Sequence, residues 1–174
     1  ELVCHSTPGE GAAFTFTLDL PAAAAAAETP VAAQAPAAAH PAEAAGDTRV
    51  LIVDDNAVNR QVLELILGSA GIGCASVADG KAGVEAMQAG GFDAVLMDIQ
   101  MPVMDGLEAT RRIRAWERNT GRRRAPILIV SANCLKEHVD AGRAAGADGH
   151  LNKPIAAAEL LGALQTQMAL AQAA

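Results

Sequence analysis

The sequence predicts an α/β domain with a doubly wound parallel sheet, and two observations support this fold class. Short apolar runs alternate with longer segments in which apolar residues recur at helical spacing, as in successive βα units. Four of these runs lead directly into polar residues, namely Asp54-Asp55, Asp98, Ser131 and Asn152-Lys153. Because ligands bind outside the carboxyl ends of parallel strands, we expect these side chains to share one site.

Five strands are predicted after residue 48, each from a short apolar run. They cover residues 49–53, 72–77, 93–97, 127–130 and 149–151. The run at 94–97 is continuously apolar and is expected to be the central strand, buried on both faces. Five βα units of this kind predict a flavodoxin-like (βα)5 sheet with strand order 2-1-3-4-5.

Each predicted strand is followed by a predicted helix, at 57–70, 80–89, 107–118, 135–145 and 156–168. In the first helix Val58, Val62, Leu65 and Ile66 lie on one face, and Gly71 is the expected C-cap. The third helix is expected to turn Leu107, Thr110 and Ile113 inward, and the last to align Leu160, Leu161, Leu164 and Met168.

Two segments precede this domain. Residues 21–47 consist mostly of alanine and proline and cannot bury enough surface to offset their ordering entropy, so a flexible linker is predicted. Before it, the segment Ser6-Thr7-Pro8-Gly9-Glu10-Gly11 predicts a turn, and residues 14–20 alternate apolar and polar like a half-buried strand. The predicted organisation is thus 1–20, 21–47 and 48–174. Because the chain begins at Glu1, we expect it to be a piece of a longer protein.

Composition excludes several classes of function. A net charge of −7 and a pI near 5.0 disfavour a general nucleic-acid or anionic-membrane binder. No apolar stretch reaches the roughly 18 residues of a membrane span. Cys4, Cys74 and Cys134 lack metal-ligand or disulfide spacing, which favours reduced thiols and a cytoplasmic location.

The polar residues at the strand ends suit phosphoryl transfer to a carboxylate. Asp98 follows the central run and is the best candidate nucleophile. Asp54 and Asp55 suit Mg²⁺, which takes one or two carboxylates and completes its shell with water. A cation and an ammonium would cancel the repulsion between the carboxylate and the phosphoryl oxygens. Each residue also has a structural alternative: a helix N-terminus at 54–55, a turn at Asp98, an N-cap at Ser131 and a solvated loop at Lys153.

The stretches 51–56, 97–106, 131–133 and 153–154 together resemble the receiver domain of two-component response regulators. The resemblance implies an acyl phosphate on Asp98 and direct Mg²⁺ ligation by Asp55 and Asp98. It further implies ligation by Asp54 through water and by the backbone carbonyl of Gln100. Lys153 would bind one phosphoryl oxygen, the Ser131 hydroxyl another, and the Lys153-Pro154 bond would be cis.

The sequence departs from this family at position 150, where His150 replaces the aromatic residue that moves together with the hydroxyl at Ser131. Coupling through an imidazole would be sensitive to pH. A second feature is the basic run Arg111, Arg112, Arg114, Arg118 and Arg122-Arg123-Arg124, for which we favour a solvated face. The alternative is a docking patch for an acidic partner, with Trp116 as a possible anchor.

Residues 1–20 resemble the closing strand of the ATP-binding domain of a sensor histidine kinase. Without the rest of that domain, we expect the segment to be disordered or to pair with another copy. The chain is therefore interpreted as the receiver of a hybrid sensor histidine kinase. It would accept a phosphoryl group from phosphohistidine on the kinase core and pass it to a histidine phosphotransfer partner. Its chemical activity would be self-catalysed phosphotransfer, and the resemblance also implies slow self-dephosphorylation.

Two alternatives differ in class. One is a protein-interaction module that has the receiver fold but is never phosphorylated. The other is a phosphatase of the haloacid-dehalogenase type, whose Asp-x-Asp motif the adjacent Asp54 and Asp55 do not match.

Overall fold

The computed structural model describes residues 2–7, 11–16, 48–132 and 136–173. By its internal contacts the chain divides into two units, Glu1–Pro36 and Ala37–Ala174. The predicted linker at 21–47 lies outside the described residues.

The first unit contains an antiparallel hairpin of β1 (Leu2–Thr7) and β2 (Gly11–Phe16). The strand predicted at 14–20 is confirmed for residues 14–16, and residues 17–20 lie outside the described ranges. The sequence did not predict β1, because its short run has no clear alternation. The turn predicted at 6–11 was also too long, since Ser6 and Thr7 belong to β1 and Gly11 to β2. The expectation that this segment is disordered or pairs with another copy is wrong for β2, since one edge of β2 pairs with β1.

The second unit is the predicted five-stranded parallel sheet with helices on both faces. Its strands are β3 (Arg49–Val53), β4 (Gly73–Val77), β5 (Ala94–Asp98), β6 (Ile127–Ser131) and β7 (Gly149–Asn152). Its helices are α1 (Ala57–Ser69), α2 (Gly80–Ala89), α3 (Gly106–Thr120), α4 (Lys136–Ala145) and α5 (Ala157–Ala173). The order β4-β3-β5-β6-β7 confirms the predicted flavodoxin-like topology.

The central strands β3, β5 and β6 are buried on both faces, and alternate residues contribute to two hydrophobic cores. On β3, Leu51 and Val53 belong to the core that contains Ile113 of α3. Val50 and Ile52 belong to the other core, which contains Leu63 of α1 and Leu160 and Leu164 of α5. The period-two alternation of a strand thus distributes one apolar run between two layers of helices.

The packing of α1 differs from the prediction. Leu63 and Leu67 are its buried residues, whereas Val58, Val62 and Leu65 are 65%, 46% and 73% exposed. Two apolar stripes with helical spacing compete along this helix, and the stripe with the two buried leucines faces the sheet. Of the predicted stripe, Ile66 packs against the core, whereas Val58, Val62 and Leu65 are left on the surface.

The last helix continues to Ala173, five residues beyond the predicted end. Leu160 and Leu164 face the core as predicted, while Leu170 in the added turns is 60% exposed. Among the helices in the described ranges, none is long and apolar enough to cross a membrane.

The basic run on α3 is not uniformly solvated, so our preferred interpretation is wrong for one residue. The Arg114 side chain is 4% exposed and donates hydrogen bonds to the Glu117 and Asp148 carboxylates, both at 2.6 Å. It also donates to the backbone carbonyls of Ala125 and Gly146, both at 2.9 Å. The guanidinium thereby joins α3 to the loops that lead into β6 and β7. The sequence could not distinguish this arginine from its exposed neighbours.

We predict that Arg114→Met destabilises the protein by about 3–5 kcal/mol, because it leaves the Glu117 carboxylate buried without its cation. Chemical denaturation with an unchanged m-value would measure the loss. Arg112→Met is the matched control, since Arg112 is 57% exposed and pairs with Glu108 at the helix surface. Equal shifts in the two variants would contradict the assigned role of Arg114.

Candidate functional site

The predicted site residues lie at one edge of the sheet, where β3, β5, β6 and β7 end. Asp54 directly follows β3, and Asp98 and Ser131 are the last residues of β5 and β6. Lys153 directly follows β7. Parallel pairing of these strands brings four separate parts of the sequence together, as the strand-end pattern predicts.

The ammonium of Lys153 lies between two carboxylates. Its Nζ donates hydrogen bonds to Asp54 Oδ2 and Asp98 Oδ2, both at 2.8 Å. The Lys153 side chain is 19% exposed, and those of Asp54 and Asp98 are 2% and 11% exposed. A solvated loop lysine is thereby excluded, because this charge is largely shielded from water and fully paired. The Lys153-Pro154 peptide bond is cis, as the family resemblance implies.

Burial and charge act in opposite directions on the ionisation of this cluster. Burial raises the pKa of Asp98 above its usual value; the nearby Asp54 carboxylate adds to the rise, while the Lys153 ammonium opposes it. Burial acts to lower the pKa of Lys153, but its hydrogen bonds to the two carboxylates outweigh this, and the pKa is raised. The lysine is therefore a firmly charged partner for a carboxylate that is poorly hydrated.

Asp54 is fixed by residues that the sequence analysis did not identify. The backbone N–H of Asn56 donates to Asp54 Oδ1 at 2.9 Å, and Asn59 Nδ2 donates to both carboxylate oxygens at 3.2 Å. Arg60 Nη1 donates to the backbone carbonyls of Asp54 and Asp55, at 2.8 and 3.1 Å. Asn59 and Arg60 lie on the first turn of α1, so their position beside the strand end could have indicated this role.

Asp54, Asp55 and Asp98 could together hold a metal ion. Each offers a carboxylate oxygen, and these atoms all lie within 4.8 Å of one another. Asp55 is exposed while the other two are buried, so the set is open to solvent on one side. Oxygen donors of this type suit a hard divalent cation that retains several waters. The N-cap of α1 is Asn56, so capping does not account for the two aspartates.

The loop after Asp98 packs tightly against the end of β5. Its backbone reverses at Val103, a β-branched residue with φ of +68°, where Met104 N donates to Pro102 O at 2.7 Å. Gly106 opens α3 so close to the strand that a Cβ atom there would overlap the backbone carbonyl oxygen of Asp98. Asp105 caps the helix by accepting from Glu108 N at 2.8 Å. The backbone of Asp98 is therefore held by β5 on one side and by the start of α3 on the other.

Ser131 and His150, the predicted switch pair, contact each other. Ser131 Oγ lies 3.1 Å from His150 Nε2, and the Ser131 carbonyl accepts from the backbone N of Lys153 at 2.8 Å. Burial lowers the pKa of His150, which a hydrogen bond with the Asn152 side chain opposes and the charge of His138 reinforces. Since α4 begins at Lys136, Ser131 is not its N-cap. The pair therefore links the ends of β6 and β7.

The family model of the response regulator receiver domain matches residues 50–165. The sensor protein GacS of Pseudomonas syringae pv. syringae is 40% identical over 112 residues, which cover 64% of this chain and 12% of GacS. The two-component response regulator ORR41 of Oryza sativa subsp. japonica is 42% identical over 127 residues, covering 71% of this chain and 95% of ORR41. The chain thus spans about an eighth of GacS and nearly all of ORR41.

Solved structures agree with this family. The receiver domain of the sensor histidine kinase PA1611 from Pseudomonas aeruginosa PAO1, crystallised with a magnesium ion coordinated in its active-site cleft, is 40% identical. The two structures align with a TM-score of 0.64, and the alignment covers 70% of this chain and 98% of that one. A chain from the co-crystal structure of the Saccharomyces cerevisiae phosphotransfer protein Ypd1 with the Ssk1 receiver domain is 28% identical, with a TM-score of 0.65 over 71% of this chain and 90% of that one. The chain belongs to the response regulator receiver domain family of two-component signalling.

Proposed function

We propose that this receiver accepts a phosphoryl group from phosphohistidine onto Asp98 in a Mg²⁺-dependent reaction. It then relays the group to a histidine phosphotransfer partner or regulates its own kinase. One observation carries the proposal: a buried ammonium at 2.8 Å from both Asp54 and Asp98, beside a third carboxylate. This arrangement brings positive charge to the carboxylate that must approach a phosphoryl group.

In the transfer, a carboxylate oxygen of Asp98 forms a bond to phosphorus while the phosphorus–nitrogen bond of phosphohistidine breaks. The electron pair of that bond stays on the imidazole, and the product is an acyl phosphate. The Lys153 ammonium is already beside Asp98 and can bind one oxygen of the incoming group. The Ser131 hydroxyl, on the neighbouring strand end, can donate to another.

The residues present fit a magnesium ion. Asp54, Asp55 and Asp98 supply the hard oxygen donors, and the backbone carbonyl of Gln100 is proposed as a fourth. When bound, the ion supplies positive charge that offsets the repulsion between the carboxylate and the phosphoryl oxygens. The magnesium ion in the PA1611 receiver supports this assignment.

The exposed stripe on α1 is the proposed contact for the phosphotransfer partner. Val58, Val62 and Leu65 form an apolar surface on the helix whose first turn also holds Asp54 through Asn59. A partner helix packed on this stripe would lie next to the site. The Ypd1 complex with the Ssk1 receiver domain supports a partner of this type.

We extend the proposal to the whole protein on the evidence of its relatives. Residues 1–20 are proposed to be the last strand of a kinase ATP-binding domain, and residues 21–47 a flexible linker to the receiver. The similarity to sensor proteins such as GacS and RpfC supports a hybrid histidine kinase as the parent chain. We propose a cytoplasmic location, consistent with Cys74 being a free thiol.

Asp98→Asn is expected to abolish phosphorylation by acetyl phosphate and Mg²⁺, because an amide cannot supply the nucleophilic oxygen. Intact mass would measure labelling, and Asp93→Asn, at the opposite end of β5, is the matched control. Full labelling of Asp98→Asn would refute the assignment. An unlabelled parent chain would instead favour the alternative of an interaction module that is never phosphorylated.

Lys153→Ala should still bind Mg²⁺, at least as tightly as the parent chain, since it removes a cation that occupies the same carboxylates. The variant should lose the chemical-shift changes at Ser131 and His150 that phosphorylation causes in the parent. Lys81→Ala, exposed on α2, is the control. Parent-like changes at both residues in Lys153→Ala would contradict the role of the lysine.

The double variant Val58→Ser/Leu65→Ser should slow phosphotransfer from a phosphorylated histidine phosphotransfer protein by about tenfold or more. Labelling by acetyl phosphate should remain unchanged, because neither side chain belongs to the site. Lys81→Ser/Glu85→Ser, which changes two exposed residues of α2 outside this surface, serves as the control. Equal transfer rates in the parent and the double variant would exclude this surface.

A further inference from the structure

A second concave site lies at the opposite edge of the sheet, where the strands begin. A cavity of about 190 Å³ opens between the loop before β5, the loop after α3 and the end of α5. Its lining includes the aromatic rings of Phe92 and Trp116 and the side chains of Arg122, Arg123 and Met168. None of these residues takes part in the site around Asp98.

Positive charge accumulates at this cavity although the chain as a whole carries a net charge of −7. The Arg122 guanidinium lies 5.7 Å from the centre of the Trp116 ring, and that of Arg49 lies 5.1 Å from the Phe92 ring. Within the described ranges, Arg122 and Arg123 form no ion pair with a carboxylate. Unpaired arginines stacked on aromatic rings are suited to binding an anion.

The acidic residues of the lining are already occupied. The Glu117 carboxylate pairs with Arg114 and accepts from the backbone N of Ala125 at 2.8 Å. One carboxylate oxygen of Asp93 accepts from the backbone N of Arg49 at 2.8 Å. Glu117 is thus neutralised by Arg114, while the single charge of Asp93 is outnumbered by Arg122 and Arg123, so an anionic ligand would meet a net positive surface.

The loop after α3, which carries Arg122 and Arg123, is held in place by contacts with the loop before β7. Arg124 pairs with Asp148 at 2.7 Å and donates to the Gly146 carbonyl at 2.8 Å, and Arg114 donates to the Ala125 carbonyl. Arg122 and Arg123 therefore extend from a backbone that is already tied to the β7 side of the sheet. A loop fixed in this way loses less entropy on binding than a mobile one.

A neighbouring cavity of about 590 Å³ shares Arg123, Arg124 and Pro126 with the first. Its other wall includes Gln167 and Leu170 of α5. The shared residues make the two cavities one groove, with Trp116 at one end and the exposed Leu170 at the other. We call this the arginine groove.

The aromatic cavity fits one side chain, and the larger cavity beside it, of about 590 Å³, leaves room for the rest of a polypeptide segment. The aromatic cavity, at about 190 Å³, is smaller than the roughly 300–1,000 Å³ of sites that enclose a whole small-molecule ligand. It can accept a single side chain, while the arginines face carboxylates on either side of it. Tryptophan and arginine are also the residue types that dominate the energetics of protein interfaces.

We propose that the arginine groove docks an acidic polypeptide segment that carries apolar side chains. Carboxylates of the segment pair with Arg122 and Arg123, and its apolar side chains contact Trp116 and Leu170. β5 separates the groove from Asp98 by about 15 Å, the length of a five-residue strand. A segment docked there can hold the receiver to its partner while Asp98 stays free for phosphotransfer.

The test uses the whole chain and a labelled ten-residue peptide of alternating glutamate and leucine. A lysine–leucine peptide, ATP and inorganic phosphate serve as comparison ligands. Trp116 is the single tryptophan of the chain, so its fluorescence reports binding at the groove directly. Binding is measured by peptide anisotropy and tryptophan fluorescence at low and high salt, because exposed charges are screened by salt.

The variant Arg122→Ser/Arg123→Ser should weaken binding of the glutamate–leucine peptide by about tenfold or more. The control Arg111→Ser/Arg112→Ser removes two exposed arginines from the preceding helix α3 and should bind within about twofold of the parent. Labelling of Asp98 by acetyl phosphate should be the same in all three proteins.

Three results would overturn the proposal. The first is equal weakening in both variants, which would indicate general charge attraction. The second is binding of ATP or phosphate without binding of the peptide, which would indicate a site for small anions. The third is an absence of peptide binding to the parent chain.

Discussion

The need to pair buried charge at the carboxyl edge of the sheet governs the rest of this structure. Asp54 and Asp98 end two adjacent strands and are largely removed from water, and an isolated carboxylate in such a place is costly. The ammonium of Lys153, which comes from the edge strand β7, compensates both. The arrangement therefore requires β7 to be in register with β6 and requires the loop after β7 to fold back over the sheet. A site assembled in this way is complete only when the whole sheet is complete.

At the opposite edge of the sheet, where the strands begin, a buried charge is also paired, but the pairing is structural. Arg114 is nearly as buried as Asp54. Its partners are Glu117, near the end of α3, and Asp148, in the loop before β7. Among the described residues, neither partner belongs to a cluster that could hold a metal ion. We interpret this pairing as a structural connection that holds three chain segments together. The two edges thus have different roles. At one edge, Lys153 is shared between two potential metal ligands; at the other, Arg114 is fully paired with carboxylates and backbone carbonyls.

The sequence predicted the sheet, its strand order and the convergence of four strand ends, because apolar runs and helical spacing are local patterns. The sequence-based prediction failed where two local patterns fitted the same helix equally well. On α1, two apolar stripes had the same spacing, and the sheet selected the one with Leu63 and Leu67. Arg114 looked like its neighbours because its partner Asp148 is 34 residues away in the chain. Asn59 and Arg60 lie only five and six residues from Asp54, so their place on the first turn of α1 was a local signal that the sequence interpretation did not use.

Gly106 shows how a residue without a functional group can be essential to a chemical site. The space that a Cβ would need there is filled by the carbonyl of Asp98, so any side chain must displace the acidic residue, the helix or both. Sensitivity to substitution at this position is then a matter of excluded volume and not of chemistry. A map of mutational tolerance that identifies active-site residues by their intolerance to substitution would include Gly106. The residue that takes part in the chemistry, however, would be Asp98, whose position Gly106 allows.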